Sequence, residues 1–256
     1  MCIRDRFQRW GVRVIPPRSG QGKHNLPEPD VITVEVCRAV SRSPLRDRAI
    51  LVTGGPTPVA IDSVREITTR FTGQLGIEVA SELHRRGANV TLIHGRGTTH
   101  PPAWLPHQTA SHYDQYRSLV SEVLGDRPYD YGIFSAAVAD YRPATVFPGK
   151  VPSDGTLERI ELVKTIKVIQ EVRHRFPKLG LISFKYEEDV TLEELLAIAR
   201  TRLDHGHLAV VANRGEEVGP NGEQVAYLVD RENQPQRAVG KGAITLLLAD
   251  FLASLG

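Results

Sequence analysis

Cysteine is nearly missing from this chain: Cys2 and Cys37 are the two thiols in 256 residues. Two thiols cannot build a disulfide framework, and neither sits in a zinc-binding spacing, so a reducing compartment, the cytoplasm, is the expectation. Long apolar runs are missing too. Nothing approaches the roughly 20 residues that cross a bilayer, and the opening MCIRDRFQRW lacks the apolar centre of a secretory signal. No membrane partner is expected. An excess of one charge is likewise absent, since 32 Lys and Arg against 30 Asp and Glu leave a formal net charge of +2. That balance offers no field for nucleic acid and leaves small molecules as the expected ligands. There is no Walker A sequence, no G-x-S-x-G elbow and no H-E-x-x-H. His205 and His207 flank a glycine and His94 ends an apolar run, but no third ligand stands at a recognisable spacing, so no metal ligands are assigned.

What the chain does have is enough apolar material, 41% of residues, for one sizeable core. Residues 1–47 mix Arg, Pro, Gly and Ser and read as a flexible extension, with 31–36 (VITVEV) the one strand-like stretch; the opening MCIRDR resembles translated adapter sequence. From Ala49 the texture changes. AILVTGG is a short apolar run that ends in glycines, the pattern of a buried parallel strand leading into a loop. Thr72 is a candidate cap for the following helix, whose apolar face is Leu75, Val79, Ala80 and Leu83, and Gly87 ends it before NVTLIHG.

The alternation repeats through a helix at 116–124, strand YGIFSAAVA, a helix at 165–176, strand LGLISF, a helix at 192–203 with Thr191 and Glu194 spaced as a capping box, strand HLAVVAN, a sixth strand at 225–229 and a last helix at 243–255. Residues 48–256 are therefore expected to form a single α/β domain, doubly wound around a mainly parallel sheet. Ligands of such sheets bind beyond the carboxyl ends of the strands, so the loops that start at Gly54, His94, Ala136, Phe184 and Asn213 are expected to share one crevice.

Three loops carry residue types suited to that crevice. Gly54 and Gly55 allow close approach of a nucleotide or simply make a tight turn, and the loop departs from G-x-G-x-x-G. Phe71-Thr72-Gly73-Gln74-Leu75-Gly76 puts glycines and unpaired N–H groups at a helix start, which suits phosphate as well as ordinary helix packing. Ala136-Ala137-Val138-Ala139-Asp140 combines small side chains with one carboxylate, able to hold substrate amide or hydroxyl groups, to bind magnesium through water, or merely to cap its own turn. Lys150, on a Pro-Gly-Lys tip, is either a surface lysine or a cation for a triphosphate.

Taken in order, ILVTGGPTPVAIDSVREIT, FTGQLGIEVASELHRRGANVTLIHGRG, SAAVADYRPATVFPGKVPS, LISFKYEED and VVANRGEEV resemble the phosphopantothenate-cysteine ligase family over about residues 49–230. The resemblance implies a dimeric, Rossmann-like ligase of coenzyme A biosynthesis that uses CTP or ATP, with Mg2+, to activate 4′-phosphopantothenate for attack by cysteine. Gly55, Gly73, Gly76, Phe184 and Asn213 are similar to the family's nucleotide contacts. Ala136, Ala137 and Asp140 match positions that hold the pantothenate portion, Arg65 the arginine that reaches the substrate phosphate across a dimer interface, and Lys150 the catalytic lysine. Asp140 is assigned to catalysis as well.

Two positions depart from the family's Asn followed by a Ser-Ser-Gly-like stretch: Thr69, assigned with the substrate-binding residues, replaces the asparagine that manages the acyl nucleotide, and Phe71 replaces a hydroxyl residue near the phosphates. No upstream flavin-binding decarboxylase is recognised, so neither FMN nor the fused two-step enzyme is expected. The competing readings are a nicotinamide-dependent short-chain-type reductase, which lacks support from a Tyr-x-x-x-Lys pair, and a non-catalytic nucleotide-binding relative.

Overall fold

Runs of β-branched and small apolar residues between polar turns assemble an eight-stranded sheet. The computed structural model describes residues 3–20, 23–152 and 159–256. Counting the strands of this sheet in chain order, they are β1 (Ala49–Gly54), β2 (Asn89–Gly95), β3 (His107–Ala110), β4 (Tyr131–Phe134), β5 (Gly180–Glu187), β6 (Ala209–Arg214), β7 (Val225–Val229) and β8 (Gln236–Val239). The helices from Pro29 onward are α1 (Pro29–Val40), α2 (Gln74–Arg85), α3 (Tyr113–Asp126), α4 (Val168–Arg175), α5 (Leu192–Asp204) and α6 (Lys241–Ser254).

The spatial order is β3-β2-β1-β4-β5-β6-β7-β8. Strands β1 to β6 run parallel; at one edge β7 pairs antiparallel with β6, and β8 antiparallel with β7. The order reverses between β1 and β4, the switch point of a doubly wound sheet.

Side-chain alternation divides the interior into two faces. Ile50, Val52, Leu92, Ile133, Ile182 and Val211 pack beneath α2 and α6, where they meet Leu83, Ile244 and Leu248. Leu51, Ile93, Phe134 and Leu181 face the other way, against Tyr116 and Val120 of α3 and Val168 and Val172 of α4. Leu195, Ala199 and Leu203 of α5 extend this second layer over Val210 and Ala212. Each fully buried Leu or Ile contributes about 1.5–3 kcal/mol, so both helical layers are needed to keep the sheet dry.

Several expectations change in detail. Residues 31–36 are not a strand but the first turns of α1. Pro29 begins this helix with its φ already suitable, and Asp30 lies in the positive first turn. The buried Val34 and the guanidinium of Arg38 then face α2 one turn apart. Arg38 donates to the carbonyls of His84 and Ala88 at 2.7 and 2.8 Å, and Trp104 Nε1 donates to Asp30 Oδ2 at 2.9 Å. Part of the supposed extension is thereby docked onto the domain. At α2 the N-cap is Gly73 rather than Thr72, whose hydroxyl instead accepts from Gln74 N at 3.3 Å. YGIFSAAVA is two strands: β4 stops at Phe134, and Ala137–Val138 pairs separately with Pro56–Thr57. The capping box at Thr191 and Glu194 is present as expected.

Two buried histidines tie stability to pH. Burial first, then the charge of Arg38, lowers His84 to about 4; burial and the charge of Arg202 lower His207 to about 4. The folded chain keeps both rings neutral while the unfolded chain takes up protons near pH 6.5, so stability is full above that pH and falls as pH drops toward 4. We expect the loss to be on the order of 2–4 kcal/mol for the pair at pH 5. Urea midpoints at pH 7.5, 6 and 5 measure it, and midpoints that stay level would show that the fold accepts a proton on these rings.

Candidate functional site

The loops at the carboxyl ends of β1, β4, β5 and β6 enclose a cavity of about 570 Å3. One wall is the start of α2. The N–H groups in the first turn of a helix have no carbonyl partner within it, and they form the positive end of the macrodipole. This end is held unusually near the sheet. A Cβ at Gly76 would lie 2.8 Å from Gly54 Cα, and a Cβ at Gly73, where φ is +86°, would lie 2.3 Å from His94 Nε2. Only glycine permits either contact. His94 is buried beneath this turn, and burial lowers its pKa, which keeps the ring neutral at pH 7.

The opposite wall is the small-residue segment after β4. Thr57 accepts from Ala139 N at 2.9 Å, and Thr165 donates its hydroxyl proton to the Ala139 carbonyl at 2.6 Å. These two threonines fix where Asp140 emerges. Its carboxylate is solvent-exposed and forms an ion pair with Lys167 at 2.6 Å. The floor and far side come from Phe184 on β5 and the buried Asn213 on β6. Arg202 supports Phe184 through its carbonyl at 3.2 Å.

Of the residues selected from sequence, Gly55, Gly73, Gly76, Ala136, Ala137, Asp140, Phe184 and Asn213 line this one cavity. Arg65, Thr69 and Lys150 do not. Arg65 lines a second hollow of about 720 Å3 that also carries Arg96, His112, Asp114 and Arg142. The two cavities share no lining residue. Lys150 is exposed on the segment that docks on the Arg65 loop, where Ser63 N donates to the Gly149 carbonyl at 3.3 Å. The tip therefore lies against this loop and does not cover the 570 Å3 cavity. Thr69 has a buried hydroxyl without a hydrogen-bond partner among the described residues.

Sequence reasoning passed over Asp62, which organises that second region. Its side chain is fully buried and accepts from the backbone N–H groups of Val64, Arg65 and Val151 and from the Arg65 guanidinium. Burial pushes the carboxyl up, but these donors outweigh it and hold the pKa at about 2. The signal was the Asp-x-x-Arg turn, in which an Asp accepts from N–H groups two and three residues on. Tyr186, Arg214 and Lys241 also line the 570 Å3 cavity without having been selected. Lys167 reaches Asp140 from 27 residues away, a pairing that no local spacing announces.

Among the described residues, no three His, Cys, Asp or Glu side chains gather as a metal site, and no helix is long and apolar enough to cross a membrane.

Known proteins agree with this architecture. A coenzyme A biosynthesis bifunctional protein, CoaBC, of Thermococcus kodakarensis is 32% identical over 231 residues, covering 89% of this chain and 56% of its own length. The chain thus spans little more than half of that relative. The crystal structure of a DNA/pantothenate metabolism flavoprotein from Streptococcus pneumoniae superposes with a TM-score of 0.72 at 28% identity, covering 82% of this chain and all of the other. A Cab2 variant in complex with phosphopantothenate-cysteine shares the fold at a TM-score of 0.52 and 14% identity, covering 89% of this chain and 96% of that one. The family model for the DNA/pantothenate metabolism flavoprotein C-terminal domain matches residues 45–253, and the chain belongs to that family.

Proposed function

We propose that the chain is a nucleotide-dependent ligase that joins 4′-phosphopantothenate to cysteine in coenzyme A biosynthesis, acting in the cytoplasm as a homodimer. The observation that carries this reading is the single cavity in which the unpaired N–H groups of α2 face the Asp140-bearing segment. One side suits polyphosphate and the other suits the amide and hydroxyl groups of a pantothenate chain. The relative's role in coenzyme A biosynthesis and the complex formed by Cab2 support the same substrate pair.

A carboxylate resists attack by an amine at neutral pH. In the proposed reaction the phosphopantothenate carboxylate attacks the α-phosphorus of CTP or ATP and pyrophosphate leaves. The neutral cysteine amine then attacks the acyl carbon, and the nucleoside monophosphate departs. Gly55, Gly73, Gly76, Phe184 and Asn213 hold the nucleotide. Ala136 and Ala137 leave room for the acid, while Asp140 orients it, giving the proximity on which the rate depends. When bound with the nucleotide, magnesium would neutralise charge on its phosphates. No flavin takes part in this reaction. Thr69 stands in sequence where the family has asparagine; its hydroxyl is buried without a hydrogen-bond partner among the described residues, and it does not line the cavity.

Arg65 and the Lys150-bearing segment are joined through Asp62 and stand outside the cavity of their own chain. The proposal assigns both to the cavity of the second copy, where Arg65 binds the substrate phosphate and Lys150 stabilises charge during displacement.

Pyrophosphate release that requires both a nucleotide and phosphopantothenate, with mass analysis of the phosphopantothenoylcysteine product, tests the activity. No release with either CTP or ATP rejects it. Arg65→Ala is expected to raise the KM for phosphopantothenate by about tenfold or more, the loss of a charge-assisted contact, and to leave that for unphosphorylated pantothenate level. Equal changes for both acids would remove Arg65 from phosphate recognition. Co-expression of Lys150→Ala with Gly73→Ala, each inactive alone, is expected to restore about a quarter of the sites, since half of randomly paired dimers contain one intact site. Absence of any recovery would place Lys150 in the cavity of its own chain.

A further inference from the structure

The mouth of the 570 Å3 cavity is bridged by two rings from different parts of the chain. Phe71 projects from the irregular segment before α2, and Tyr186 from the end of β5. Their centroids lie 5.9 Å apart with the planes at 81°, an edge-to-face contact. Both rings are well exposed, Phe71 at 53% and Tyr186 at 40%, although an aromatic side chain of a folded chain is ordinarily drawn into the core.

The two rings are held differently. The Tyr186 hydroxyl donates to Glu188, and Gly215 leaves space for it, since a Cβ there would come within 2.7 Å of the hydroxyl oxygen. Tyr186 also lies directly across the β5–β6 register from Asn213 on the cavity wall. It is a fixed platform. Among the described residues, the ring of Phe71 packs edge-to-face on Tyr186 alone, and Phe71 lines the cavity two residues ahead of Gly73.

We propose that Phe71 and Tyr186 form an aromatic clasp that selects ligands with a planar heteroaromatic base, Phe71 exchanging its contact with Tyr186 for stacking on the base. This inference rests on the nucleotide reading given above and adds the part of the nucleotide it recognises. Every base has a π-face, so the clasp accepts pyrimidine and purine alike, and the larger purine covers more of both rings. The clasp also keeps water from the phosphates once the base is seated.

Calorimetric titration of the purified chain with ATP, CTP and inorganic tripolyphosphate, each with magnesium, separates base from phosphate recognition. Phe71→Ala and Tyr186→Ala are expected to weaken ATP by roughly tenfold and CTP by somewhat less, the range found when a base loses an aromatic partner. Tripolyphosphate binding should stay level in the same variants, which also shows that they fold. Tyr186→Phe and Phe71→Tyr keep a ring and should retain tight nucleotide binding. Equal weakening of tripolyphosphate and ATP, or no change in either, overturns the clasp while leaving the nucleotide reading intact. A wild-type chain that binds none of the three ligands rejects both.

Discussion

The close seating of the α2 amino terminus on the end of β1 governs the geometry of everything around it. Gly76 against Gly54, and Gly73 over the His94 ring, bring the positive end of a helix dipole within reach of a ligand lying across the sheet. A methyl group at either glycine would push the helix start outward, since the atoms it would meet are backbone or a buried ring. The field of a helix terminus fades within its first turn, so a shift of an ångström or two would forfeit much of the attraction for phosphate. The neutral state of His94 fits this arrangement. A charged imidazolium under the same turn would draw the anion down or lose its own solvation, and burial disfavours it.

Opposite that helix, the same economy appears in threonines. Thr57 and Thr165 hold the Ala139 backbone from both sides, so the segment after β4 keeps small side chains toward the cavity without collapsing into it. Asp140 then extends into solvent beside Lys167. An exposed ion pair of this kind adds at most about 1 kcal/mol to stability, so the pair is better placed to present a carboxylate than to hold the fold. Asp62 does the reverse. Fully buried and satisfied by four donors, it spends its charge on locking the Arg65 loop to the segment carrying Lys150.

Those contrasts explain what could be read from residues alone. The parallel strands were legible because a strand buried on both faces must be an unbroken apolar run, as in AILVTG and AVVANR. The edge strands β3 (HQTA) and β8 (QRAV) were not, because an edge is half solvated and its sequence looks like a loop. VITVEV misled for a related reason: β-branched residues favour strands, yet Pro29 and the contacts of Val34 and Arg38 with α2 decide for a helix. Within the site, glycines and small residues next to strand ends were readable, since their role is local. Lys167 with Asp140, and Tyr186 with Phe71, were not, because each pair is made by tertiary packing between segments whose own sequences are unremarkable.

The loop of residues 69–73 carries the two departures from the family pattern, Thr69 and Phe71, and on the proposed reading they act in opposite directions. Thr69 leaves a buried hydroxyl without a hydrogen-bond partner among the described residues, a state that is unfavourable until something bonds it. Phe71 removes a hydroxyl from the phosphate side but places a ring at the cavity mouth, 5.9 Å from Tyr186. On the proposed reading, this loop gives up one polar contact to phosphate and gains an aromatic surface for the face of a base. Contacts to phosphate are screened by salt, whereas contact between ring faces carries no net charge to screen. On the proposed reading, the affinity of this chain for a nucleotide rests less on phosphate contacts, which salt screens, than that of a site with a hydroxyl at position 71.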